Sequence, residues 1–145
     1  MKIKNIWDVP NPPLEKHEDD RGCIVDVFYK DDIDHVASIK TNPNSVRGNH
    51  YHKQTTQHIL ITSGSLEYWY KPVDSDEPAK FVVANVGDLV STPPNEIHAL
   101  VIRNDGNEFV VFSQGLRGGS DYESDTFRVE SIIPEERLNE LRGAV

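Results

Sequence analysis

The stretch RGNHYHKQTTQHILITSG, residues 47–64, sets His50 and His52 two positions apart in a run with the look of an extended chain. Successive side chains of a strand alternate, so both imidazoles point to one side and can share a ligand. Gln57 and then Gly64 follow, the glycine where a tight turn between two strands is expected. A second stretch, GDLVSTPPNEIHALVI at 87–102, carries Pro93 and brings in His98 as a new strand begins. Pairing of the two stretches would converge three imidazoles. With the Gln57 amide oxygen and open positions for substrate, such a set suits Zn, Fe, Mn or Ni.

Outward from these stretches the chain alternates short β-branched and aromatic runs with turn residues. The runs are CIVDVFY, HVASIK, HILIT, LEYWY, FVVANV, HALVI and FVVF, and TNPNS, SG, KPVDSDEPA, GD, TPPN and NDGN read as the turns between them. Many short strands without intervening helices predict an all-β antiparallel sandwich or closed barrel over about 23–129. Residues 1–22, with Pro10, Pro12 and Pro13, read as an N-terminal arm. A short C-terminal helix is expected over about 134–142. Pro134 suits its first position, Glu135 and Glu136 suit its positive end, and Leu138 and Leu141 share a face. The length fits a single domain, 1–145.

The balance of 15 Lys and Arg against 24 Asp and Glu, a formal charge of -9, repels polyanions, so nucleic acid is not an expected partner. A small nucleotide diphosphate needs only two or three cations, for which Arg47, Arg21 and Lys53 are available. The one cysteine, Cys23, cannot form an intrachain disulfide, and MKIKNIWDVPNPP has no apolar stretch resembling a signal peptide, which suggests a cytoplasmic protein. No apolar run reaches membrane-spanning length, so no membrane association is expected. No Gly-x-Gly-x-x-Gly is present, so neither a nicotinamide nor a flavin cofactor is expected.

The two stretches resemble both motifs of the cupin superfamily, His-x-His-x4-Glu-x6-Gly and Gly-x5-Pro-x-Gly-x2-His-x3-Asn, with Gln57, Asn95 and Ile102 departing from them. The resemblance implies a double-stranded β-helix of jelly-roll type. EDDRG at 18–22 and NPNSVRGNHYH at 42–52 are similar to the dTDP-4-dehydrorhamnose 3,5-epimerases. RGNHYHKQTTQHILITSGS resembles the dTDP-4-keto-6-deoxyhexose 3,4-ketoisomerases, in which Gln at position 57 is normal. RGNHYH and DYESDTFRV (121–129) also resemble the C-terminal cupin domain of capsular-polysaccharide enzymes that epimerise a UDP-4-keto sugar.

These likenesses imply proton transfer beside a ketone of a nucleotide sugar. His50 would be the base, His52 a second base or an orienting group, and Arg47 the grip on the diphosphate. A metal at His50, His52, Gln57 and His98, or a tyrosine, would polarise the ketone. A metal-bound His50, however, has no lone pair for a proton. In LEYWY, Tyr68 and Tyr70 share one face and Trp69 the other; whichever set points inward could stack on substrate, and Tyr68 could serve as the acid. Tyr122 is a weaker candidate for that acid. His17 and His35 read as structural or surface groups, and His58 is left open. Cupins of this size imply a homodimer. A metal-dependent dioxygenase or lyase, or a non-catalytic sugar-binding cupin, remain as alternatives.

Overall fold

The computed structural model describes residues 1–8, 16–115 and 119–143. Among them the chain runs β1 (Lys2–Asn5), β2 (His17–Asp19), β3 (Gly22–Ile24), β4 (His35–Thr41), β5 (Val46–Tyr51), β6 (Thr56–Pro72), β7 (Lys80–Asn85), β8 (Asp88–Thr92) and β9 (Glu96–Gln114). A 3-10 helix (Gly119–Asp125), β10 (Phe127–Arg128) and α1 (Glu135–Gly143) complete it.

Two long strands organise the molecule. β6 pairs with β9 along most of its length, and each then serves two further neighbours. The first half of β6 pairs with β8 and the second with β7. The first half of β9 pairs with β5 and the second with β4. The result is an antiparallel order β1-β8-β6-β9-β5-β10, with β4 and β7 branching from it. Both halves close on one interior, filled by Ile59, Ile61, Leu66, Tyr68, Val90, Leu100, Ile102, Phe109 and Val111. This is the cupin jelly roll expected from the two histidine stretches. Burying each such aliphatic side chain contributes roughly 1.5–3 kcal/mol.

The turns expected at SG and NDGN are bends within β6 and β9, so four expected strands are two. Gly64 has φ +70° and Gly106 has φ +66°. A Cβ at Gly64 would sit 2.3 Å from the Gly106 carbonyl oxygen. Register slips on both sides of this contact. The two glycines therefore let the paired strands turn a barrel corner together without ending. CIVDVFY is strand only to Ile24, and residues 25–34 cross the outer sheet face without regular structure.

The expected arm is partly sheet. β1 adds to β8 at the edge, and β2 and β3 form a hairpin whose turn is closed by Asp19 accepting from the Arg21 N–H at 2.9 Å. Pro10, Pro12 and Pro13 lie outside the described residues. Helix α1 begins after Pro134, whose carbonyl accepts from the N–H groups of Arg137 and Leu138. Leu141 of α1 and the preceding Ile133 cover Trp69, Ala99 and Val101 on the outer sheet face. No helix among the described residues is long and apolar enough to cross a membrane.

Candidate active site

The word Arg-Gly-Asn-His owes its place to a β-bulge. Strict alternation would send Arg47 and His50 to opposite faces of β5. In the pairing of β5 with β9, Arg47 sits opposite Leu100, Gly48 opposite Ala99 and His50 opposite His98, so Asn49 is an extra residue. Its φ of +59° is left-handed, a conformation asparagine tolerates. A Cβ at Gly48 would lie 2.7 Å from the His98 carbonyl oxygen, so this close approach of strands requires glycine. The bulge is tied down from outside: the Asn49 side-chain oxygen accepts from Ile132 N–H at 3.0 Å and its carbonyl from Val129 N–H at 2.9 Å. As a consequence Arg47 and His50 line one cavity.

That cavity, of about 290 Å³, opens into the barrel interior. His50, His98 and Gln57 line it together with Arg47, Arg128 and an apolar wall that includes Ile59, Leu100, Phe109 and Val111. The three imidazoles converge: ring centroids are 5.0 Å apart for His50 and His52, 4.7 Å for His50 and His98, and 5.4 Å for His52 and His98. One nitrogen from each lies within 4.8 Å of the others. His52 and His98 are nearly fully buried, and His50 is half-buried.

Backbone carbonyls orient two of the rings. His52 Nδ1 is 2.8 Å from the Asp125 carbonyl oxygen, and His98 Nδ1 is 3.1 Å from that of Glu96. A carbonyl only accepts, so each Nδ1 carries a proton, and in the neutral ring Nε2 then keeps the lone pair. This is the outer-shell arrangement of metal-binding histidines, and the donor set fits a divalent ion. Asp125 makes a second connection. Its carboxylate, 2% exposed, accepts from the N–H groups of Lys53 (2.9 Å), Gln54 (3.0 Å) and Thr55 (2.9 Å) and from the Thr55 hydroxyl (2.8 Å). Burial pushes this carboxyl up, but the Thr55 hydroxyl and the three N–H groups outweigh it and hold it below the usual range.

The aromatic ladder LEYWY divides as its alternation requires, and the structure selects the face. Tyr68 is buried in the barrel core with its ring stacked 6.2 Å from His98, and Tyr70 packs beside it at 5.9 Å. The Tyr68 hydroxyl bonds to Thr92 Oγ1 and donates to Glu96 at 3.2 Å. Burial drives its pKa well above the ordinary tyrosine value. Glu96 also receives the Met1 amino group at 2.6 Å. Trp69 is a correction to the expected substrate contacts. It lies on the outer face, stacked 4.5 Å from Phe81 and donating to Glu67 at 3.0 Å beneath α1. Opposite pleat faces separate it from the cavity.

Of the candidate phosphate cations, Arg47 lines the cavity and donates from Nε to Thr41 Oγ1 at 2.9 Å. Arg21 is held by Asp19 in the β2–β3 turn, and Lys53 sits 4.3 Å over the Phe127 ring. Sequence reasoning missed Arg128, which pairs across from His50 and reaches the cavity from β10 while bonded to Glu123. Its only signal was the word DYESDTFRV. The Tyr122 side chain lies outside the described residues.

A family model described as the polysaccharide biosynthesis C-terminal domain matches residues 17–114. The chain belongs to this family. No curated protein sequence matches it significantly. Among solved structures, this family member is similar to a 3,4-ketoisomerase from Helicobacter canadensis, with 19% identity, TM-score 0.68, and 97% of this chain and 96% of that one covered. QdtA, a sugar 3,4-ketoisomerase from Thermoanaerobacterium thermosaccharolyticum in complex with TDP, matches at 18% identity and TM-score 0.63, covering 90% of this chain and 92% of that one. The capsular polysaccharide assembling protein CapF from Staphylococcus aureus matches at 22% identity and TM-score 0.60. There 83% of this chain covers 34% of CapF, so the family domain seen here spans about a third of that protein.

Proposed function

We propose that the barrel cavity is the active site of a cytoplasmic isomerase or epimerase acting on a nucleotide-linked 4-keto-6-deoxy sugar for polysaccharide or glycan precursors. The observation that carries the reading is the convergence of His50, His52 and His98, the first and last of which line one small cavity together with Arg47 and Arg128. Family membership and the likeness to two sugar 3,4-ketoisomerases support it.

In this reading the sugar ring enters the cavity. The two guanidiniums hold the diphosphate, for which their planar forks are suited. His50, half-buried and facing the cavity, takes the proton next to the ketone. His52, its Nδ1 proton committed to the Asp125 carbonyl, orients His50 and lends its Nε2 to the same space. Tyr68 stacks on His98 and Tyr70 packs beside Tyr68, which backs the His98 ring. Tyr68 stays protonated because burial raises its pKa, so it serves as a neutral donor to Glu96.

The histidine set would hold a divalent metal (Zn, Fe, Mn or Ni) through His50, His52 and His98, with Gln57 nearby. Such an ion supplies Lewis-acid polarisation of a carbonyl. Ligation of His50 and its use as a base exclude each other, so retained activity after chelation identifies the free base. The keto sugar comes from a separate dehydratase, and the open edge of β1 offers a homodimer contact.

The test is solvent deuterium incorporation at C3 of dTDP- and UDP-4-keto-6-deoxyhexoses, followed by NMR. Incorporation that falls by roughly 10²–10⁴ in His50→Asn is expected. No incorporation in either nucleotide series, or full incorporation by the variant, sinks the reading.

A further inference from the structure

A cavity larger than that of the histidines lies outside the barrel. It measures about 690 Å³ and shares no lining residue with the histidine cavity. Register explains its chemistry. Ile3 of β1 pairs with inward-facing Val90, so Lys2 and Lys4 both point outward, beside Ser91 and Leu89. Ser91 in turn pairs with His58, and His58 with Phe112. A row of Lys2, Ser91, His58 and Phe112 therefore crosses four strands on the outer face, with Lys4 one row below.

Residues 28–31 form the other side of the groove. The Phe28 ring packs 5.0 Å from His58 and 4.9 Å from Phe112, and Tyr29 stands beside it, more than half exposed. On the floor His58 Nδ1 and Ser91 Oγ are bonded at 2.7 Å, a polar pair set among Leu89 and the aromatic rings. Neither Lys2 nor Lys4 ion-pairs with an acidic group of the described residues. In a protein of charge -9 that leaves two ammoniums aimed into one groove. Partial burial lowers the Lys4 pKa, a strain that an anionic partner relieves.

From this arrangement we infer a second binding site, between β1 and residues 28–31, for a phosphate monoester carried on a flat aromatic or heteroaromatic ring. The phosphate sits between Lys2 and Lys4, the ring lies against Phe28 and Tyr29, and the His58–Ser91 pair meets the ester side. Asp31, on the far side of the groove, repels the anion and fixes the direction of binding. The site is independent of the activity proposed for the barrel.

The experiment is an amide NMR titration of the full chain with phenyl phosphate, inorganic phosphate and phenol. Saturable shifts confined to residues 2–5, 28–31, 58 and 91 are expected, with phenyl phosphate at least about tenfold tighter than either half alone. Lys2→Ala with Lys4→Ala should weaken it about tenfold or more, and Phe28→Leu about threefold, while His50→Ala changes nothing. Each variant is first checked for an unchanged melting temperature in the absence of probe. Shifts centred on residues 47–50 and 98, binding by the lysine double variant within twofold of the parent, or no saturation at any of these amides because a second copy of the chain covers the groove would each overturn the assignment.

Discussion

Replacing Asp125 by alanine should unfasten the loop that carries His52. The carboxylate receives three backbone N–H groups and the Thr55 hydroxyl, all within 3.0 Å. Hydrogen bonds to a charged group are each worth roughly 1.5–3 kcal/mol, and releasing the carboxylate from burial returns part of that total, leaving a net loss of about 3 kcal/mol. For a chain of this size that lowers the melting temperature by roughly 10 °C. Asp125→Asn keeps the shape and one acceptor, and should lose about half as much. The pH dependence has a definite sign. The folded carboxyl titrates below the unfolded one, so its contribution is complete above about pH 4 and disappears as pH falls through the folded value. Urea unfolding of the parent should weaken across that acid range, and the Asn variant should show a flatter acid limb. The His52 Nδ1 proton resonance should also shift or broaden in the alanine variant, because its acceptor is the Asp125 carbonyl. A loss below about 0.5 kcal/mol with an unmoved His52 signal would falsify the anchoring argument.

Gly64→Ala should cost at least about 2 kcal/mol in urea unfolding, because φ is +70° and the new Cβ meets the Gly106 carbonyl at 2.3 Å; a neutral result would mean the bend does not need glycine. Arg137→Ala leaves the nearly buried Glu67 carboxylate with Trp69 Nε1 as its remaining described donor, so about 2 kcal/mol of stability and the hydrogen-exchange protection of α1 should be lost together. Trp69→Ala should destabilise by about 3 kcal/mol without changing ligand affinity in the barrel at a temperature where the variant is folded; selective loss of affinity would contradict its outer-face position.

Much of the site was legible because it is written in local rules. Two histidines at a spacing of two face one way on any extended chain, and the Gly-Pro-His stretch marks a second strand start. The alternation of the aromatic ladder likewise divides it into two faces. Where the reading slipped, a local signal had two physical outcomes. Ser63-Gly64 and Asn104–Asn107 look like turn-forming words, yet two glycines pressed against each other bend paired strands as readily as they end them. Asp125 gave no local sign of its role, since its partners lie about 70 residues away.

The sequence alone settled what each strand offers: alternating faces, three imidazoles on strands or at their ends, and the cupin pattern that links them. Tertiary structure decided which of those faces meet. Asn49 adds one residue to β5 and turns Arg47 to the side of His50, pairing with β10 delivers Arg128, and the barrel interior takes Tyr68 while leaving Trp69 outside. Alternation is a property of a single strand, whereas register and sheet closure depend on contacts between distant segments, and those contacts determine which side chains can act on one ligand.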